Sequence, residues 1–113
     1  MSRRGVKFYI ADIKDAIRKI EKYTKELTRK RFETDEQVVD AVVRNLGIIG
    51  EAVNNLPTDF KSKYPKIPWN KIVGMRNKVL HEYFGIDLGI LWETIEKSIP
   101  ELKKQITKII KEL

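Results

Sequence analysis

Apolar residues recur every three or four positions along nearly the whole chain. Val6, Tyr9, Ile10, Ile13, Ile17 and Ile20 trace a first stripe that continues toward Leu27, with charged residues between them. That spacing puts them on one face of an α-helix. A second helix is predicted to open at Thr34, where Thr34 and Gln37 have the spacing of a capping box. Asp35 and Glu36 then stand at the positive end of the helix dipole. The inward face of this helix carries Val39, Val42, Leu46, Ile49, Val53 and Leu56.

The next stretch, LPTDFKSKYPKIPWN, is punctuated by Pro57, Pro65 and Pro68, which no continuous helix accommodates. It reads as a short helical turn over 59–63 followed by a loop. Pro68 suits the first position of a third helix, where its missing N–H leaves no bond unmade. Trp69, Ile72, Val73, Val79 and Leu80 form the buried side of that helix, and Gly85 is placed to end it. Asp87 can cap a final helix whose inward stripe runs Leu88, Trp92, Ile95, Ile99, Leu102, Ile106 and Ile109. Pro100 interrupts this run. Ser98 and Glu101 form a second capping-box pattern there, so a bend or restart is expected. No segment alternates with period two. The prediction is an all-α domain over residues 1–113, built as four main helices plus one short helix.

Composition adds limits. Of the 113 residues, 42% are hydrophobic and 35% are charged, a balance suited to a soluble core-forming chain. No apolar run approaches the roughly 20 residues of a membrane span, and the basic start leads into a charged periodic segment rather than a secretory signal. Cysteine is absent and histidine occurs once, so neither a disulfide framework nor a thiolate or multi-histidine metal site is expected. A cytoplasmic protein that works without membrane, metal or cofactor is the simplest expectation. Lysine and arginine outnumber acidic residues 23 to 16, a net charge of +7 that favours polyanions. The basic residues at helical spacing (Lys14, Arg18, Lys22, Lys25, Arg29, and Lys97, Lys104, Lys108, Lys111) are read mainly as solvated faces.

The chemistry concentrates in GMRNKVLHEYFGID. It holds Arg76, Asn77, the single histidine His81, and Tyr83. Histidine exchanges protons near neutral pH, and arginine presents a planar pair of donors to phosphate. These are the groups that cleavage of RNA by its own 2′-hydroxyl requires. Each also has a plain structural reading: an imidazole near a helix C-terminus, a surface arginine, a packed aromatic. On one ideal helix, Arg76 and His81 lie about 140° apart with about 7.5 Å of rise. Either the arginine reaches round, or a second copy of the chain completes the site. In NLGIIGEA, Gly47 and Gly50 lack the strand and Gly-Lys-Ser/Thr context of a phosphate loop, and are read as helix-packing positions. Arg44 and Glu51, seven apart on one face, are candidates either to line a cleft or to pair structurally.

PKIPWNKIVGMRNKVLHEYFGID resembles the signature of the HEPN superfamily, specifically its HepT-like small proteins, whose hallmark R-N-x-x-x-H-x-Y reads here as Arg76, Asn77, His81 and Tyr83. RNLGIIGEAVNNL, with its Gly50-Glu51-Ala52 step, is similar to the second helix of that family. The resemblance implies a HEPN-type up-and-down bundle and a metal-independent endoribonuclease toxin of a prokaryotic type II toxin–antitoxin pair. It implies a homodimer with the motif helices lining a cleft, Arg76 and His81 as catalytic residues, and Asn77 orienting substrate. It further implies a minimal nucleotidyltransferase antitoxin that transfers AMP to Tyr83. The alternative is a non-catalytic RNA- or nucleotide-binding subunit working with a nucleotidyltransferase.

Overall fold

A computed structural model describes residues 5–81 and 85–113, with the backbone alone at residues 80 and 81. The chain is all-α, and no strand occurs among the described residues. The elements are α1 (Val6–Thr24), α2 (Arg29–Glu33), α3 (Glu36–Asn55), α4 (Thr58–Ser62), α5 (Trp69–His81), α6 (Leu88–Glu93), a π-helical turn (Thr94–Ser98) and α7 (Ile99–Glu112).

Helix α3 is the centre of the bundle. It packs against α1 on one side and α5 on the other, while α7 closes over α1. The α1 stripe is sunk into the core: Ile10, Ile13, Ile17 and Ile20 are buried, and Thr24 ends the stripe by donating its hydroxyl to the Ile20 carbonyl at 2.8 Å. Val42, Leu46, Ile49, Val53 and Leu56 face them from α3, and Ile99, Leu102, Ile106 and Ile109 from α7. At roughly 1.5–3 kcal/mol for each fully buried aliphatic side chain, this shared core is the main force holding the helices together. Lys103 on α7 adds an ion pair to Glu21 on α1 at 2.9 Å.

Several boundaries differ from expectation. The segment before Thr34 contains a helix that periodicity did not reveal, because five residues make little more than one turn. Thr28 caps α2 by accepting from the Arg31 N–H, and Phe32 is fully buried against Trp92 with ring centroids 5.4 Å apart. Thr34 therefore does not cap α3. It ends α2, its hydroxyl donating to the Lys30 and Arg31 carbonyls, and Asp35 caps α3 by accepting from the Val38 N–H. Pro68 lies one residue before α5, and its carbonyl accepts from the Ile72 N–H. Asp87 does cap α6, accepting from Gly89 and Ile90. Ser98 makes no capping bond with its side chain. The chain stays helical up to Pro100, and the π-turn widens the ladder just where proline cannot donate. Leu91, outside the predicted stripe, is fully buried. Whether Gly85 ends α5 depends on residues 82–84, which lie outside the described residues.

Helix α5 is held differently at its two flanks. Its start is pinned by the Trp69 indole, which donates to the carbonyls of Lys61 and Tyr64 at 3.0 and 3.1 Å. Val79 is buried, but Trp69, Ile72, Val73 and Met75 are only half-buried. One flank of α5 opens on a groove of about 520 Å³ shared with α3, α6 and α7, floored by Leu46, Ile49, Met75 and Leu102.

Candidate functional site

The site is built where α5 crosses α3 at Gly50. A Cβ at this position would overlap the Arg76 Cβ and lie 2.6 Å from its Cγ. Only a glycine lets the two backbones approach this closely, and the approach seats the stem of Arg76 directly on α3. The next residue, Glu51, then faces the guanidinium. Arg76 Nη2 donates to Glu51 Oε2 at 2.5 Å, and Arg76 Nη1 donates to Asn77 Oδ1 at 2.8 Å. The Gly50-Glu51 step thus does two things in two residues: it brings α5 in and fixes the direction of its cation.

The Arg76 side chain is 26% exposed and that of Glu51 53%. A pair so open to water adds roughly 0.2–1 kcal/mol at most to stability, so its value lies in orientation. Arginine carries five N–H donors in a planar fork. Two are engaged here, and among the described residues the other three are left for an anion. Asn77 is exposed, and its amide NH₂ has no partner among the described residues. It holds the arginine with its oxygen and keeps two donors toward solvent.

The candidate residues from the sequence separate into three groups. Arg76, Asn77 and Glu51 come together in one hydrogen-bonded unit. Arg44 is exposed on α3, about 10 Å of helix rise before Glu51, and has no ion-pair partner among the described residues. Glu51 pairs with Arg76 and not with Arg44. His81 ends an uninterrupted α5, so the five-residue offset from Arg76 persists in the backbone, and its side chain lies outside the described residues. Tyr83 also lies outside them. The seat that Gly50 makes for Arg76 is the feature that residue-by-residue reading missed. Its signal was present in the Gly-Glu pair at the centre of α3.

The fold and site define an all-α helical bundle with an oriented guanidinium at a helix crossing. Comparison with known proteins gives the particular family. Residues 13–109 match the family described as "Ribonuclease HepT-like". The chain belongs to the HepT-like ribonuclease family. It is 44% identical over 109 residues to a Thermococcus cleftensis protein named "Probable ribonuclease HepT", covering 96% of this chain and 99% of that one. It is 47% identical over 111 residues to a Methanocaldococcus jannaschii protein named "Gamma-glutamylcyclotransferase and putative RNase". That match covers 98% of this chain and 50% of the relative, so the chain spans half of that longer protein. A Caldanaerobacter subterraneus protein named "Putative RNase" is 54% identical over 79 residues, 70% of each chain. No solved structure gives a significant match. Among the described residues no helix is long and apolar enough to cross a membrane.

Proposed function

We propose that the chain is a metal-independent endoribonuclease toxin in which Arg76 and His81 act on RNA at the cleft of a homodimer. The observation that carries this reading is the guanidinium of Arg76, fixed by Glu51 and Asn77 with donors to spare, within a chain of the HepT-like ribonuclease family. In the proposed step a base takes the proton of the 2′-hydroxyl and the oxygen attacks the adjacent phosphorus. The P–O5′ bond breaks, the leaving oxygen takes a proton from an acid, and a 2′,3′-cyclic phosphate remains. Arg76 stabilises the charge that gathers on the non-bridging oxygens. His81 supplies proton transfer, and two subunits supply two imidazoles, one for each role. The half-buried flank of α5, open along its groove, supports a face on which a second copy can pack.

Control of the toxin follows from the same site. A nucleotidyltransferase antitoxin moves AMP from ATP to the Tyr83 hydroxyl and releases pyrophosphate. The added phosphodiester and base then stand two residues from His81 and compete with RNA for the cation.

The test is cleavage of RNA in EDTA by wild type, His81→Ala and Arg76→Ala. Wild type is expected to leave 2′,3′-cyclic phosphate ends, and each variant to lose activity by 100-fold or more, on the order of a lost general acid or base. Equal cleavage by His81→Ala would falsify the assignment. RNA binding that depends on Arg76, with no cleavage at any enzyme concentration, selects the non-catalytic binding subunit instead. Incubation with the partner and ATP, followed by intact mass, tests for AMP on Tyr83.

A further inference from the structure

A second groove, of about 480 Å³, lies between the α4–α5 connection and one face of α7. Ile67, Ile109 and Tyr64 give it an apolar floor, and Lys63, Lys66, Lys104 and Lys108 stand round it against one carboxylate, Glu101. The Tyr64 hydroxyl donates to Glu112 at 3.4 Å. Some other lysines are matched locally: Lys19 with Asp15, Lys97 with Glu93, Lys103 with Glu21. None of the four groove lysines forms an ion pair among the described residues, and all four are exposed. Like charges gathered round one trough repel one another, and a polyanion relieves that repulsion. Part of the α7 stripe is therefore a solvated, self-paired face, and part is an unneutralised rim.

Placement says what kind of anion fits. The groove adjoins the start of α5, and His81 is at the other end. A 13-residue helix separates them by about 20 Å, beyond the reach of a mononucleotide and within that of a strand of several nucleotides. Lysines act as point charges without the fork that reads a base, so they suit a backbone rather than a sequence. We propose that this lysine-rimmed groove anchors the phosphodiester backbone of the RNA several nucleotides away from the cut. The inference rests on the ribonuclease reading and extends it: long RNA is preferred over short for a reason that lies outside the cleavage site.

The experiment compares wild type with the double variant Lys104→Gln/Lys108→Gln, both positions exposed on α7. Fluorescence anisotropy measures binding of 2′-O-methylated polyuridylate and polyadenylate, which cannot be cut, across a salt series. The variant is expected to weaken both polymers alike and to reduce the slope of log K against log salt by about 1.4, at roughly 0.7 for each lost phosphate contact on a single strand. In parallel, KM for long RNA rises with kcat unchanged, and cleavage of a dinucleotide stays at the wild-type rate. Unchanged affinity and slope overturn the proposal and leave the groove to a different anionic partner, such as an acidic protein. The two readings fail separately. A chain that binds RNA through these lysines yet cuts none keeps the groove and loses the ribonuclease. A chain that cuts RNA with a slope indifferent to them does the reverse.

Discussion

Glu51 holds Arg76 from a neighbouring helix, and the bond is worth more to direction than to stability. Glu51→Ala is accordingly expected to shift unfolding free energy by less than about 1 kcal/mol. RNA cleavage should fall tenfold or more, because a mispositioned arginine loses its paired grip on phosphate. Thermal melts and single-turnover rates on one protein preparation separate the two effects; a loss of stability without loss of rate makes Glu51 structural only. Asp15 shows how a pair at the surface couples to pH. Hydrogen bonds from Arg18 and Lys19 hold its carboxyl below the ordinary carboxylate value. Its contribution to stability is therefore complete above the unfolded value near 3.8 and disappears as pH falls through the lower folded value. Carbon-detected NMR titration should place the Asp15 midpoint below that of an unfolded peptide and move it upward in Arg18→Gln/Lys19→Gln. At this scale the sequence singled out candidate side chains, since the single imidazole stands four residues after an Arg-Asn pair. It did not show that Glu51 serves Arg76, because the two are 25 positions apart and are brought together only by the crossing of two helices.

Two glycines three positions apart on α3 behave oppositely. Gly50 sits against Arg76, and Gly47 has open space where a Cβ would go. Inside a helix, alanine is ordinarily better than glycine by roughly 0.5–1 kcal/mol, so Gly47→Ala should stabilise by about that amount. Gly50→Ala should instead cost about 1–3 kcal/mol, since the added methyl meets a packed stem that sits on backbone. Chemical denaturation of both variants checks the sign. If both stabilise, α3 and α5 do not cross as closely as described. The expectation that small residues allow close approach therefore holds at one of the two positions. Long helices were legible because several apolar positions at one period leave a clear stripe. Short ones were not: α2 offers a single buried residue, Phe32, and the threonine at its far end, Thr34, reads as a helix start as readily as its cap Thr28. The π-turn was anticipated only as a bend. Sequence marks that Pro100 breaks the ladder, but how the neighbouring turns absorb the break depends on packing of Ile95 and Ile99.

For the molecule as a whole, the fold class followed from periodicity, and the proposed sharing of a cleavage site between two copies of the chain is a matter for experiment. Mixing Arg76→Ala and His81→Ala proteins tests it. The proposed cleft uses both imidazoles, one as acid and one as base, so a mixed dimer, which keeps one His81 and one Arg76, is expected to stay as inactive as either parent. Activity that neither parent has would show that one arginine and one imidazole suffice, and would overturn the division of acid and base roles between the subunits. Sedimentation across a dilution series establishes whether the dimer exists at the concentrations used. Charge at this scale is gathered unevenly: the groove beside α7 sets four exposed lysines against the single lining carboxylate of Glu101.

The seat of Arg76 on bare backbone makes its reach a readout of main-chain separation. A wider gap between α3 and α5 withdraws the guanidinium by the same amount, whatever caused the widening. Trimming Val79, a buried side chain of α5 one turn from Arg76, removes a spacer and so changes that separation without touching the guanidinium itself. Interior packing and turnover should drift in step across a series of core variants, even where the fold survives each one.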